Sequence, residues 1–321
     1  MRRVYSSWHD ETEGRGIWMI SVITPTYNRA YILFQAYDSL CAQTSKAFEW
    51  IVVDDGSTDQ TEQMVKAWEK EQKEFSVHYY KKPNGGKHRA VNFGVQQAKY
   101  GYILILDSDD YLTNDAIECI HQWTLQIQGK EDFAGVAGLR GWKNSDAAIG
   151  GDLGDKEYID AANHERAKYG LSGDKAEVYR TELLRKYPFP EFEGEGFISE
   201  ASVWNKISLD GYRIRWFNKV VYKCEYLEDG LTNMVHTGEK LMMNNFQGYT
   251  YYIQLLMQSC SFPVKHFKIG QYADIARRKG KSLADVMETL QIARWELWLG
   301  QLIFQANKVK RMLRNGRKKL G

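Results

Sequence analysis

Three short polar clusters carry the chemistry this chain could do. In the first, the apolar run YILIL ends in DSDD, so that Asp107, Asp109 and Asp110 follow at once, with Ser108 among them. Carboxylates in that number suit a hard divalent cation such as Mg2+ or Mn2+. Such an ion takes one or two protein carboxylates and completes its shell with phosphate oxygens and water. The same acids would also suit the start of the next helix. In an extended DSD the side chains alternate, so Asp107 and Asp109 are expected to point the same way. The second cluster, DDGSTD, offers Asp54 and Asp55 to a ribose hydroxyl or a base N–H, or alternatively to the N-terminus of the following helix. The third, NGGKHR, puts Lys87 at a helix start, where free backbone N–H groups and the helix dipole favour an anion. There is no Walker-type GKS or GKT, which excludes a P-loop, and no GxGxxG follows the first strand.

The elements that would position these clusters follow from the periodicity. WMISVIT, FEWIVV, FSVHYY and YILIL read as strands. Between them lie helical patterns with Leu33, Ala36, Tyr37, Leu40 and Cys41 on one face, then Met64, Val65 and Trp68, then Ala90, Val91, Gly94, Val95 and Ala98. Asp59 and Glu62, three apart, predict a capping box at the second helix. Alternation of this kind predicts βαβ units on a mainly parallel, mixed sheet flanked by helices. TPTYN, DDGSTD and DSDD, at the ends of the first, second and fourth strands, then share the carboxyl edge of the sheet, where open α/β sheets bind ligands. Lys143 to Asp174 reads as an aperiodic excursion, EVYRTELLRKY restores order, and the chain from Met234 is helical in pattern. The expected division is an N-terminal extension over 1–18, an α/β domain over 19–233 and a helical region over 234–321.

Composition is that of a globular protein, with 43% hydrophobic and 26% charged residues in 321. A net charge of +2 gives no general attraction to nucleic acid. The four cysteines are scattered, without the spacing of a zinc or redox motif, and read as reduced thiols in a cytoplasmic protein. The polar N-terminus has no apolar core segment of a secretory signal.

Taken together, ISVITPTYNR, WIVVDDGSTDQT, NGGKHRAVNFGVQQAKYGYILILDSDD and FISEASVWNKI closely resemble glycosyltransferase family 2, inverting enzymes of the GT-A fold. The resemblance runs from about Ile20 to Asp229, and SEASVWNKI and YLEDGLT are most similar to bacterial members that build capsule and other surface polysaccharides. It implies a nucleotide-sugar donor, by the family's habit a UDP-sugar, and a glycan or lipid-linked sugar acceptor. DSD matches the family's DXD motif, so Asp107 and Asp109, with Ser108 between them, would bind the donor diphosphate through Mn2+ or Mg2+, with Asp110 as a possible further ligand. Asp55 matches the acid that recognises the base, with Asp54 its neighbour. Pro25 and Tyr27 match the loop bordering the base, and Lys87 falls where a basic residue often lies near the donor.

Glu200, four residues before Trp204, matches the general base, although Ser199 stands where the family usually has another acid. Glu193 and Glu195 lie close upstream, and Glu200 could instead cap its helix. The implied reaction is a single displacement in which Glu200 takes the acceptor's proton. Trp142, Phe192, Phe197 and Trp216 are candidates for a sugar groove or for the core, and Asp229 for the acceptor or the metal. The alternative is a catalytically silent nucleotide-sugar binder of the same fold, in a regulatory or scaffold role. A basic C-terminus behind the Trp-rich WELWLGQLIFQ suits either peripheral contact with the inner face of a membrane or a packed helix with a solvated end.

Overall fold

The computed structural model describes residues 19–145, 147–224 and 238–318, with side chains to residue 310. The extension over 1–18 lies outside the described residues, as does Asp229. The chain divides into two compact units, one of residues 19–188 and 210–224, the other of residues 189–209 and 238–318. Residues 189–209 therefore cluster with the helical part rather than with the α/β domain to which their sequence neighbours assigned them.

In the first unit the strands are β1 (Ile20–Thr26), β2 (Phe48–Asp54), β3 (Ser76–Lys81), β4 (Tyr102–Ile105), β5 (Tyr111–Leu112), β6 (Phe133–Trp142), β7 (Tyr158–Ala161), β8 (Lys175–Arg180) and β9 (Arg213–Cys224). Among the described residues they form one sheet in the order β3-β2-β1-β4-β8-β6-β9-β5, with β7 on β9. From β3 to β4 every pairing is parallel, whereas β8 is antiparallel to both β4 and β6. Helices α1 (Phe34–Cys41), α2 (Thr61–Glu71) and α4 (Ala116–Gln126) cover one face, packing Leu40, Val65 and Ile120 with Val22, Trp50 and Leu104. Helices α3 (Lys87–Gln97) and α5 (Thr181–Lys186) complete the unit.

β1 and β2 are buried along their whole length, which is why they read as apolar runs rather than alternations. Most of their polar groups are partnered internally, although the buried hydroxyl of Thr26 has no hydrogen-bond partner among the described residues. Ser21 Oγ donates to the buried Glu49 at 2.7 Å, and Trp50 Nε1 donates to Thr24 Oγ1 at 2.8 Å. Unpaired, such groups would each cost about 1–3 kcal/mol.

Two local expectations are revised, and a third is made specific. No capping box opens α2: Asp59 instead accepts from the amide and hydroxyl of Thr61 and from the amide of Ala30, while Glu62 pairs with Lys66 and Lys81. A two-residue side-chain turn and a cross-loop bond compete with the box for the same carboxylate. The excursion after β6 contains β7 and a 3-10 turn over Asn163–Tyr169, tied to β9 by a two-pronged Arg215–Asp160 pair at 2.7 Å. EVYRTELLRKY splits between β8 and α5.

The second unit comprises α6 (Ala201–Leu209), α7 (Gly238–Asn244), α8 (Phe246–Ser259), α9 (Val264–Arg278), α10 (Leu283–Leu290) and α11 (Arg294–Lys318). Its core joins Tyr249, Ile253, Ile269, Tyr272, Val286 and Leu290. Residues 189–209 are held there by reciprocal caps. Glu195 accepts from the amides of Gln247 and Gly248 in the first turn of α8, and Asn245 Oδ1 accepts from the amides of Gly196 and Phe197.

Candidate active site

The first unit places the carboxyl ends of β1, β2 and β4 side by side, and the strand order turns around β1. Between β1 and β4 the ladder stops early. Ile23 accepts from the amide of Leu106 at 2.9 Å, and the next donor on β1 in a parallel register would be residue 25. That residue is proline and has no N–H. On the other side β1 goes on pairing with β2 to Thr26 and Asp54. The ladder thus ends between β1 and β4, where the strand order changes direction and where open α/β sheets leave their crevice for ligands.

Loops from three strands are bonded around this point. Asn28, at φ +52°, donates its amide to Ser57 Oγ and accepts from the amide of Thr58, each at 2.8 Å. This clamps the half-exposed Tyr27 beside the DDGS turn. Pro25 itself is buried in the strand. Asp54 accepts from the amide of Ser57 at 2.7 Å and from the hydroxyl of Tyr79 at 2.5 Å.

Asp55 is almost fully buried and accepts from Lys82 Nζ at 2.6 Å and from the amides of Gly85 and Gly86, the latter at 2.6 Å. The acid expected at the base is thus also the anion expected at the N-terminus of α3. A donor base would have to share its lone pairs with these groups. Gly56 makes the approach possible: it sits at φ +87°, and a Cβ there would lie 2.9 Å from the backbone nitrogen of Asn84.

The acidic cluster is shaped by a turn rather than by a strand. β4 ends at Ile105, and the amide of Asp110 donates to the carbonyl of Asp107 at 3.1 Å. Strand alternation therefore does not apply, and Asp107 shares its partners Arg140 and Tyr222 with Asp110, while Asp109 lies near enough to feel its charge. Arg140 Nη1 lies 3.7 Å from Asp107 Oδ2 and 3.8 Å from Asp110 Oδ2. Lys87 Nζ, from the first residue of α3, is 2.5 Å from Asp107 Oδ1. The hydroxyl of Tyr222 donates to Asp110 at 2.8 Å and accepts from the amide of Asp107 at 2.9 Å.

Burial alone would push the carboxyl of Asp107 up, but Lys87 and Arg140 outweigh it and hold the group below the ordinary range. Asp109 is pushed up by burial and by the charge of Asp107, against the pull of Arg29. Asp110 is pushed up by the same two causes, against the pull of Arg140. Ser108, in the middle of the turn, is buried.

The donor set is oxygen only, which fits Mg2+ or Mn2+. Among the described residues no three His, Cys, Asp or Glu side chains are grouped to enclose an ion by themselves. A cation here would take the rest of its shell from a donor's phosphates and water.

Arg140 and Tyr222 were not found in the sequence, nor was Lys82. One signal existed: Arg140 interrupts the otherwise apolar FAGVAGLRGW, and a charge in a buried strand needs a counter-charge. Of the aromatic candidates in this unit, Trp216 is core, with its Nε1 on the carbonyl of Ala161, and Trp142 is partly exposed.

In the second unit Glu200 directly precedes α6, and its carbonyl accepts from the amides of Val203 and Trp204. It therefore stands at a helix N-terminus, half-buried. Phe192 and Phe197 are also half-buried. Glu195, with both oxygens on the start of α8, is committed to structure.

The family model described as "Glycosyl transferase family 2" matches residues 21–124. A Campylobacter jejuni relative, GalNAc(5)-diNAcBac-PP-undecaprenol beta-1,3-glucosyltransferase, is 33% identical over 193 residues, covering 58% of each chain. An uncharacterized glycosyltransferase of Rickettsia felis is 39% identical over 99 residues, 31% of this chain but 16% of that one. The chain thus spans only a small part of the length of some relatives. Among solved structures, S. aureus TarS 1-349 in complex with UDP-GlcNAc is similar with a TM-score of 0.58 at 22% identity, over 88% of this chain and 78% of that one. At that identity the likeness shows the fold, which is GT-A.

Proposed function

Residues 21–124 belong to glycosyltransferase family 2, and from that premise we propose that the chain transfers a sugar from a nucleoside diphosphate sugar to an acceptor hydroxyl with inversion. The observation that carries this reading is the convergence of Lys87, Arg140 and the Asp107–Asp110 turn where the β1–β4 ladder ends. That is a place for a diphosphate: two fixed cations and a carboxylate pair beside it.

The proposed donor is a UDP-sugar, which TarS also binds in its complex. Tyr27 offers a ring face to the base, Asp54 and Asp55 order the loops around it, and Lys87 and Arg140 face the phosphates. Asp107 and Asp109, with Asp110 adjacent, would hold Mn2+ or Mg2+. When bound, the ion supplies positive charge to the leaving diphosphate. Lys87 and Arg140 add charge in the same place, where it is worth most as negative charge develops.

Glu200 is the proposed base. It removes the proton of the acceptor hydroxyl while that oxygen bonds to the anomeric carbon and the bond to the diphosphate breaks on the opposite face. Its half-buried place at the start of α6, and the commitment of Glu195 elsewhere, support this choice over its upstream neighbour. The proposed acceptor is a glycan or lipid-linked sugar, and the Campylobacter jejuni relative is named for a PP-undecaprenol-linked one.

A second reading rests on Asp107 being already paired with Lys87 and Arg140: a protein that binds the donor and leaves it intact. Release of nucleoside diphosphate from UDP-, GDP- and dTDP-sugars, with Mn2+, Mg2+ or EDTA, separates the two. Metal-dependent release from one donor supports transfer. Binding without release, in the presence of acceptor glycans, supports the silent binder.

A further inference from the structure

Helix α11 has two unlike long faces. One packs on α9, with Leu297 buried, the rings of Phe304 and Phe267 5.6 Å apart, and Glu296 paired with Lys265 at 3.0 Å. The two helix backbones touch at Gly270 and Gly300, where a Cβ on Gly270 would fall 2.1 Å from the carbonyl oxygen of Gly300.

The other face carries large apolar side chains that are exposed among the described residues. Trp295 is 62% exposed, Trp298 64%, Leu302 52% and Val309 55%. Spacings of three, four and seven residues keep these side chains on one stripe. Phe262, 65% exposed, extends it, since the His266 ring lies 5.6 Å from Phe262 and 5.9 Å from Trp295. Soluble proteins seldom leave so much contiguous apolar surface to water without a use.

Charge says what covers it. After Glu296 the chain has no further acid, and seven Lys or Arg fall between Lys308 and Lys319. Removing these seven from the whole chain's +2 leaves the remaining residues at −5, so the positive charge is concentrated at this end. A protein partner could match the apolar stripe alone. A stripe led by two tryptophans and running into a cationic segment matches an interface of hydrocarbon beneath anionic headgroups. Among the described residues no helix is long and apolar enough to cross a bilayer, so the mode is to lie on the surface.

We propose that the Trp295–Trp298–Leu302–Val309 face of α11 is a docking surface for an anionic lipid membrane. The stripe inserts to the depth of the headgroups, and the basic segment beyond it takes the lipid phosphates. This goes beyond the proposed reaction and does not depend on the identity of donor or acceptor.

The test is co-sedimentation of the full chain with vesicles of phosphatidylcholine alone and of phosphatidylcholine with about 30% phosphatidylglycerol, at low and high salt. Wild type is expected to bind the anionic vesicles at least roughly tenfold better than the neutral ones, and less at high salt. W295S/W298S is expected to lose about tenfold, with an unchanged far-UV spectrum and thermal transition. Should that variant misfold, K308Q/K310Q supplies a milder probe, which weakens anionic binding only. Equal binding to both vesicle types, or no loss in either variant, overturns the proposal. So does a concentration-dependent dimer that W295S/W298S converts to a monomer, which would give the face to a second copy of the chain.

Discussion

The guanidinium of Arg140 lies over the ring of Tyr222, its central carbon 4.2 Å from the ring centroid, and the two side chains share Asp110. Arg140 also donates through Nε to the carbonyl of Lys175 at 3.0 Å. The arginine is thereby fixed in plane and direction before any ligand arrives. A lysine could supply charge there but neither the stacking nor the fork.

Arg140→Met should leave Asp107 and Asp110 facing each other with one cation fewer. Urea unfolding is expected to show a loss of about 1–3 kcal/mol, and donor affinity should fall as well. Unchanged affinity together with lost stability would confine Arg140 to structure.

Glu200→Gln keeps the size and shape of the side chain and removes its basicity. We expect nucleotide binding to persist, and transfer to fall by roughly 10²–10⁴. Turnover at the wild-type rate would move the base elsewhere, with Glu193 the nearest remaining acid.

Glu195→Ala, five residues away, should behave in the opposite manner. It deprives the first turn of α8 of a carboxylate that takes two amides, a cap worth about 1–2 kcal/mol. Donor binding is expected to stay within error of wild type. Calorimetry and titration on the same sample measure both.

Asp107→Asn and Asp109→Asn should each remove dependence of donor binding on Mn2+ or Mg2+. The check is titration of the nucleotide with and without EDTA. If wild-type binding is the same in EDTA, the carboxylates act without a metal and Lys87 with Arg140 supplies the charge.

Lys175 gives a pH dependence that can be signed. Its ammonium is buried and donates to the carbonyls of Ile149 and Ser172, yet desolvation pulls its pKa from 10.5 to about 8. Between those values the unfolded chain binds more protons than the folded one, so this residue's contribution to stability rises with pH from about 8 to 10.5 and is flat below. Lys175→Met should lack that rise. Unfolding free energies at pH 7.5 and 10 for both proteins supply the comparison, and parallel slopes would count against it.

The sequence made some of this legible and hid the rest for identifiable reasons. β1, β2 and β4 were readable because strands buried on both faces must be apolar, and the acids were readable because they follow such runs directly. That Asp107 and Asp110 share partners was not, because a turn after Ile105 replaces the alternation that a strand would impose. Tyr222 lies 112 residues beyond Asp110, and only the β5–β9 and β6–β9 pairings bring it there. The role of Glu195 was hidden similarly, since its partners are amides at the start of a helix about 50 residues on. Periodicity reports what faces the core, and bonds between distant segments leave no local trace.

Pro25 has a consequence for how a ligand gets in. Were residue 25 able to donate, β1 and β4 could close one rung further, like a zip drawn past its stop. Because the missing hydrogen is a matter of covalent structure, that rung is absent in every state of the protein, and a nucleotide entering there has no hydrogen bond at residue 25 to break. Pro25→Ala would restore the donor, and entry would then have to compete with a hydrogen bond.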